Sequence, residues 1–400
     1  MSDQPWHLAR GYRDHGSYCG VRPEPSRRDL ALIVSDVPAA AAGVFTQNRV
    51  VAAPVQVSRQ RVPAAAARGV VVCSGNANAC TGERGRADAR RMTEVAAEAL
   101  GCRPEQMLVC STGVIGRPLP MPAVEAGIRK AAGTLGTDAA ALSDAAHAIL
   151  TTDTRIKVAT RTVTVGSQEI RLTGLAKGAA MIGPNLATML AFVLTDARVD
   201  PQALQTLLRR AADRTFNCIS VEGHTSTNDT LLLFANGAAG GAELRSADLA
   251  EYEAAVTDVC EELARAIADD AEGITHLITI EVEGLRNDGE ARRVAKTVAE
   301  SALVKTAVFG ADPNWGRIVS AAGYAGVEFA ECDLSLWLGG TLLYDRGAPQ
   351  SFDPAELAAY LKTQRNVTIR LVFTLGTGRC RFWTCDLGYE YIRLNAEYTT

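Results

Sequence analysis

Short apolar runs alternate with longer amphipathic stretches along most of this chain. Runs that are apolar, or that alternate apolar with polar residues, predict strands, whereas apolar residues at helical spacing predict helices. The predicted strands cover residues 30–34, 43–46, 54–58, 69–73, 106–110, 157–165, 169–175, 189–194, 230–234, 277–283, 367–374, 381–386 and 391–395. The predicted helices cover residues 86–100, 122–132, 143–150, 201–216, 247–270 and 288–303. This mixture predicts a layered α/β or α+β fold in which two sheets are covered by helices.

Length and composition narrow the class of protein. A chain of 400 residues exceeds a typical domain of about 100–200 residues, which favours two domains or one large α/β unit. Hydrophobic residues make up 47% of the chain and charged residues 22%, the proportions of a globular protein. The 41 Lys and Arg residues are balanced by 45 Asp and Glu residues and form no basic stripe, so we expect no nucleic-acid partner.

The sequence also argues against a membrane-spanning segment, a secretory signal and a metal site. No apolar run approaches the ~20 residues that cross a bilayer, so we expect no membrane partner. Residues 1–15 carry charges and no apolar signal region, which leads us to expect a cytoplasmic protein. The ten cysteines form no C-x-x-C pair and the five histidines are dispersed, so we expect buried thiols and no metal ligands.

Candidate chemistry lies in loops of small and hydroxyl-bearing residues that follow the predicted strands. Such loops allow backbone N–H groups and hydroxyls to converge on a carbonyl or carboxylate group. Each loop alone is typical of a turn or helix cap, but five of them occur in one chain. Phosphate-binding, dinucleotide-binding and serine-hydrolase motifs are absent from the sequence.

These loops carry an ordered set of motifs that resembles a known family. The motifs are Gly75-Asn76-Ala77-Asn78, Ser111-Thr112-Gly113-Val114-Ile115-Gly116, Thr151-Thr152-Asp153-Thr154, Lys177-Gly178, Pro184-Asn185-Leu186-Ala187-Thr188-Met189-Leu190, Thr225-Ser226-Thr227-Asn228-Asp229-Thr230, Asp312-Pro313-Asn314-Trp315-Gly316-Arg317 and Asn395-Ala396-Glu397-Tyr398-Thr399-Thr400. In order and content they resemble the ornithine acetyltransferase (ArgJ) family, whose members look like N-terminal-nucleophile enzymes. The resemblance implies that family's two-sheet fold with a smaller C-terminal α/β lobe.

The resemblance further implies a precursor that cuts itself between Ala187 and Thr188. The products would be an α chain of residues 1–187 and an intertwined β chain of residues 188–400, assembled as two α and two β chains. Thr188 would then be the nucleophile, and its own freed α-amine would serve as the base. This arrangement needs neither a histidine nor a metal.

By the same resemblance, Thr112 and Gly113 form the oxyanion hole. Thr152, Lys177, Thr188, Glu272, Asn395 and Thr400 match substrate-binding positions of the family. An ammonium with a hydroxyl suits an α-carboxylate, whereas Glu272 and the C-terminal region suit an α-amine or a side-chain amine.

The implied reaction is a ping-pong transfer of acetyl from N-acetylornithine to glutamate, with no resident cofactor. Whether acetyl-CoA is an alternative acetyl donor is left open. Two departures from the family pattern, His224 and Ala180, keep a specialised-metabolism paralogue with another acetylated amino-acid donor as an alternative. An amidohydrolase with water as acceptor and a catalytically idle binding protein are further alternatives.

Overall fold

The strands form two mixed sheets in a computed structural model that describes residues 6–183 and 189–397. The first sheet contains β1 (Tyr12–Ser17), β2 (Leu30–Phe45), β3 (Ala64–Asn76), β4 (Met107–Val114), β5 (Lys157–Val165), β6 (Gln168–Lys177), β7 (Leu190–Thr195) and β8 (Thr230–Ala235). The second contains β9 (Leu277–Leu285), β10 (Leu334–Leu338), β11 (Thr341–Asp345), β12 (Ala348–Pro349), β13 (Asn366–Phe373) and β14 (Gly378–Cys385). The predicted fold class, two sheets with helices around them, is confirmed.

Helices flank both sheets. They are α1 (Ala53–Arg59), α2 (Gly82–Leu100), α3 (Met121–Ala132), α4 (Ala139–Ala148), α5 (Pro201–Arg214), α6 (Ser246–Ala268), α7 (Asp288–Glu300), α8 (Ala302–Phe309), α9 (Trp315–Gly323), α10 (Pro354–Thr363) and α11 (Tyr389–Glu397). Local sequence fixes several starts: at α5, Asp200 accepts hydrogen bonds from the N–H groups of Gln202 and Ala203, and Pro201 occupies the first turn. No helix in the described ranges is both long and apolar enough to cross a membrane.

The strand order of the first sheet brings several loop-bearing strand ends to one region. The order is β4-β3-β2-β8-β7-β6-β5, with β1 paired to β2. The pairs β3–β4 and β7–β8 are parallel, and the other pairs are antiparallel. The hairpin predicted from residues 157–165 and 169–175 is confirmed as β5 and β6. Residues on both sides of position 187 therefore contribute strands to this one sheet.

Both faces of the first sheet are buried, as β7 illustrates. Ala191 and Val193 pack in the cluster that contains α5 and α6, whereas Leu190, Phe192 and Leu194 pack in the cluster that contains α4. A strand that is covered on both faces has a continuous apolar sequence, and for this reason β7 could be predicted from the sequence.

Two predicted strands are wrong. Residues 54–58 lie in α1, where Pro54 fits the first helical turn, and residues 391–395 lie in α11. Short apolar runs cannot be assigned to strand or helix by periodicity alone. The helix predicted over 288–303 is also wrong in its extent, because Ser301 ends α7 and its hydroxyl caps α8 by accepting from Val304 N–H. The predicted strands 30–34 and 43–46 are parts of the single strand β2.

The buried carboxyl of Asp14 on β1 gives a testable pH dependence. Within the described residues neither of its oxygens has a hydrogen-bond partner, and burial raises its pKa to about 8. The native state therefore holds a proton that the unfolded state releases near pH 4, so the unfolding free energy falls by up to about 1.4 kcal/mol per pH unit between these values. An Asp14→Asn variant has no such proton. The difference between its thermal midpoint and that of the wild type should therefore shift in favour of the variant as the pH rises from 5 to 8. Asp36→Asn, at an exposed ion pair with Arg13, is the control; an Asp14→Asn difference that stays constant with pH would contradict the assignment.

Candidate active site

One cleft brings together six residues that the sequence singled out. They are Thr112, Gly113, Thr152, Lys177, Glu272 and Asn395. The other described lining residues are Arg22, Gly75, Ala77, Val114, Ile115, Thr151, Ala180, Met181, Ser226, Thr227 and Asn228. The remaining candidates, Ala187, Thr188 and Thr400, lie outside the described residues. The structure thus places the six side by side, while the roles assigned to all nine stay predictions.

Thr112 and Gly113 lie near the end of β4, where the backbone of this strand closely approaches that of β3. The parallel register pairs Ser74 with Thr112 and Gly75 with Gly113. Gly113 has φ +131°, and a Cβ atom there would lie 2.3 Å from the carbonyl carbon of Gly75. Only glycine fits this close approach, because any side chain would push the two strand ends apart. The Thr-Gly pair is therefore held in a fixed position at the cleft.

Lys177 is the last residue of β6 and is fully buried, with 1% of its surface exposed. In the antiparallel register it lies opposite Leu190, two residues after Thr188 in the chain. Burial lowers the pKa of Lys177, and the nearby Asp153 carboxylate opposes that shift. A buried ammonium of this kind is a strong partner for a substrate carboxylate.

Asp153 organises the loop that carries Thr152. Its Oδ1 accepts hydrogen bonds from Lys157 Nζ at 2.7 Å and from Gly178 N–H at 2.6 Å. Burial alone would raise the pKa of Asp153, but Lys157 and Lys177 together lower it to about 2. Lys157 Nζ also donates to Asp270 Oδ2 at 2.6 Å. The loop is consequently fixed by a buried set of alternating charges.

Glu272 and Asn395 both line the cleft and contact each other directly. Asn395 Nδ2 donates to Glu272 Oε2 at 3.1 Å, and Glu272 N–H donates to the Ala179 carbonyl at 3.0 Å. Asn395 reaches the cleft from α11, although its segment was predicted as a strand. The approach of α11 depends on Gly273, where a Cβ atom would lie 2.4 Å from the backbone nitrogen of Tyr391.

Two lining residues were missed as site residues by the sequence reasoning. Arg22 comes from the N-terminal segment, donates through Nη2 to Ser74 Oγ at 3.1 Å and contacts the Leu150 carbonyl. Asn228 belongs to a motif that was recognised, but no role was given to it. Of the two departures from the family pattern, Ala180 lines the cleft, whereas His224 is exposed and is not among the lining residues that the structure describes.

Across 6–183 and 189–397, no group of three or more His, Cys, Asp or Glu side chains is arranged to hold a metal ion. What the described cleft offers is a hydroxyl, closely placed backbone groups, a buried ammonium and a carboxylate. These groups suit a polar carbonyl substrate that carries both charges of an amino acid.

The model of the ArgJ family matches residues 13–400, and the chain belongs to the ArgJ family. Membership of this family makes the protein an N-acyltransferase. The arginine biosynthesis bifunctional protein ArgJ of Symbiobacterium thermophilum is 48% identical over 380 residues, covering 94% of this chain and 93% of that protein. The ArgJ of Geobacter sulfurreducens is 45% identical over 393 residues, covering 98% and 99% respectively. The crystal structure of ArgJ from Bacillus halodurans is 43% identical with a TM-score of 0.51, and the match covers 98% of that chain and 52% of this one.

The buried charges beside the cleft lead to a stability prediction. A Lys157→Met variant leaves the Asp153 and Asp270 carboxylates buried without their shared ammonium, so the unfolding free energy should fall by about 3–5 kcal/mol. Arg161→Met is the matched control in the same strand, because its ion pair with Glu262 is 40% and 46% exposed. We expect it to cost under about 1 kcal/mol in denaturant titration. Equal losses in the two variants would show that the buried charge set does not stabilise the loop.

Proposed function

We propose that this chain is a glutamate N-acetyltransferase of the ornithine acetyltransferase type, which transfers acetyl from N-acetylornithine to glutamate. The observation that carries the proposal is the single cleft in which the Thr112-Gly113 strand end, buried Lys177 and Glu272 meet. Lys177 also pairs with Leu190, so the chain that leaves Thr188 enters the sheet beside this cleft. Membership of the ArgJ family supports the same activity.

The enzyme becomes active by cutting its own chain between Ala187 and Thr188. The Thr188 hydroxyl adds to the Ala187 carbonyl carbon, and the peptide C–N bond breaks as the amine takes up the hydroxyl proton, which leaves an ester. Water then opens the ester and releases the Ala187 carboxylate and the Thr188 hydroxyl. The match to 52% of this chain by nearly the whole Bacillus halodurans polypeptide supports such a cut, because the piece after residue 187 has 213 of the 400 residues.

Acetyl transfer then proceeds through Thr188 in two steps. Its freed α-amine, with a reference pKa of about 7.7–8.0, takes the hydroxyl proton as Oγ attacks the acetyl carbonyl carbon. The oxyanion is held at Thr112 and Gly113; the C–N bond breaks, and ornithine leaves with the proton on its α-amine. The amine of glutamate attacks the acetyl ester, Thr188 Oγ leaves and recovers its proton, and N-acetylglutamate is formed.

Charge in the cleft selects the amino acid. Lys177 and Thr152 bind the substrate α-carboxylate, and Glu272 binds the side-chain ammonium of the ornithine donor. Asn395 supports Glu272 through the hydrogen bond described above. Thr400 is a further substrate-binding residue in the proposal. No resident cofactor takes part, and acetyl-CoA is a second acetyl donor to be tested.

The wider setting is also part of the proposal. The active form consists of two α and two β chains in the cytoplasm.

A paralogue that uses a different acetylated amino acid, or that releases acetate to water, is the second candidate function. The observation that favours it is Ala180, which lines the cleft at a position where the family pattern has glycine and so adds a methyl group to the substrate space.

Self-cleavage is tested by the intact mass of purified protein. The wild type should give two polypeptides with a break after Ala187, whereas Thr188→Ala should give one full-length chain without activity, because it lacks the attacking hydroxyl. Thr195→Ala, at the other end of β7, is the matched control and should be cut normally. A single full-length chain in an active preparation, or cutting and turnover in Thr188→Ala, would refute the proposed cleavage.

Substrate choice is tested with a panel of donors. N-acetylated ornithine, lysine and arginine are each supplied with and without glutamate, and products are followed by mass spectrometry. We expect acetylornithine to give N-acetylglutamate only when glutamate is present, since the acetyl-threonine ester needs an amine acceptor. Acetate release that is independent of glutamate would favour the amidohydrolase. If acetylornithine is inactive while another acetylated amino acid donates its acetyl group, the paralogue would be favoured.

A further inference from the structure

Asn228 links the start of β8 to the ends of β3 and β4, two strands that do not pair with β8. The β2–β8 pairing ends at Phe45 and Thr230, and Asn228 lies just beyond it, 4% exposed. Its Nδ2 donates to the Ala77 carbonyl after β3 at 2.7 Å and to the Ser111 carbonyl of β4 at 2.8 Å. Ser111 directly precedes Thr112. The carboxamide thus holds the strand end that presents the Thr112-Gly113 pair.

The neighbouring Asp229 holds a different part of the site. Its Oδ1 accepts a hydrogen bond from Met189 N–H at 3.1 Å, and the Met189 carbonyl accepts from Thr230 N–H at 3.1 Å. Met189 is the residue directly after Thr188. Both polar backbone groups of Met189 are therefore fixed by residues 229 and 230, and the chain that follows the proposed nucleophile has a defined path.

The loop that carries these two residues is itself anchored. Thr46 Oγ donates to the Ser226 carbonyl at 2.6 Å, Ala52 N–H donates to the Thr227 carbonyl at 3.0 Å, and Thr46 N–H donates to the Asp229 carbonyl at 2.9 Å. Thr227 Oγ also donates to Asn228 Oδ1 at 2.6 Å, which fixes the orientation of the carboxamide. Because its backbone and side chains are hydrogen-bonded in this way, the loop holds Asn228 and Asp229 in fixed positions relative to the neighbouring strands.

We propose that Asn228 and Asp229 are positioning residues of the acyl-transfer reaction, which together set the oxyanion-binding strand end and the chain after Thr188 in one geometry. Asn228 acts through Ser111 and Ala77, and Asp229 acts through Met189. The proposal rests on the proposed function, in which Thr188 attacks and Thr112 and Gly113 hold the oxyanion. A displacement of about 1 Å between reacting groups is sufficient to lower a rate by about 10²-fold.

The test compares Asn228→Ala with Asn236→Ala in the acetylornithine–glutamate reaction. Asn236 is the matched control, because it follows β8 at the end of the strand opposite to Asn228. Its Nδ2 donates to the Arg10 carbonyl at 3.0 Å, and Asn236 is not among the described cleft residues. Asn228→Ala should lower kcat by about 10²-fold with little change in KM for acetylornithine, because binding contacts remain while the geometry is lost. Asn236→Ala should keep the wild-type kcat.

Further variants keep the test decisive. Asn228→Asp has the same size and lacks both donors, so it should reproduce the loss of kcat if Asn228→Ala does not fold. Asp229→Asn keeps a side-chain oxygen that can accept from Met189 N–H, so it should retain most of kcat and normal chain cleavage. Asp229→Ala lacks this acceptor and should slow both.

The outcomes separate this proposal from the proposed function. A wild-type protein that forms no N-acetylglutamate would overturn the function and the positioning role with it. A wild type that transfers acetyl, with Asn228 variants that keep its kcat, would overturn the positioning role alone. Equal losses of kcat in the Asn228 and Asn236 variants, in step with their thermal midpoints, would likewise overturn it, since loss of stability would then account for both.

Discussion

The backbone register of the first sheet is the constraint on which the cleft depends. One row across four strands contains Lys177, Leu190, Thr230 and Phe45 in succession. A slip of one residue in any pair would turn every side chain of that strand to the opposite face. Because β7 is buried on both faces, such a slip would exchange its smaller side chains, Ala191 and Val193, with Leu190, Phe192 and Leu194, and close-packed cores tolerate such volume changes poorly. The same row that closes the core therefore sets where the chain after Thr188 enters and where Lys177 lies.

Buried charge is the second element of the arrangement, and it works only as a set. Lys177 can be buried because the Asp153 carboxylate lies nearby. Asp153 in turn forms an ion pair with Lys157, and Lys157 forms a second ion pair with Asp270. Each member would be costly to bury alone. The Lys177 side chain that lines the cleft is thus held within a fixed, buried set of charges.

The sequence allowed prediction of what depends on neighbouring residues. A continuous apolar run identified β7, and the amphipathic pattern identified α2 and α6. It failed where a short run fits both states, as at Pro54, or where a helix is mostly exposed, as in α11. Within the site, motif resemblance located Thr112, Gly113 and Lys177, but not the partners of Asp153 or the contact of Arg22 with Leu150. Gly178 lies 25 residues from Asp153, and Leu150 lies 128 residues from Arg22, so these contacts depend on the tertiary fold, which no local pattern encodes.

In the proposed reaction, Thr188 carries the acetyl group between donor and acceptor. The most direct measurement is to mix the processed enzyme with acetylornithine in the absence of glutamate, quench with acid, and locate acetyl groups by peptide mass spectrometry. We expect an acetyl ester on the hydroxyl of Thr188, at the start of the second chain, which disappears when glutamate is added before the quench. Transfer to glutamate with no acetyl group on Thr188 at any time, or with acetyl on another residue, would contradict it.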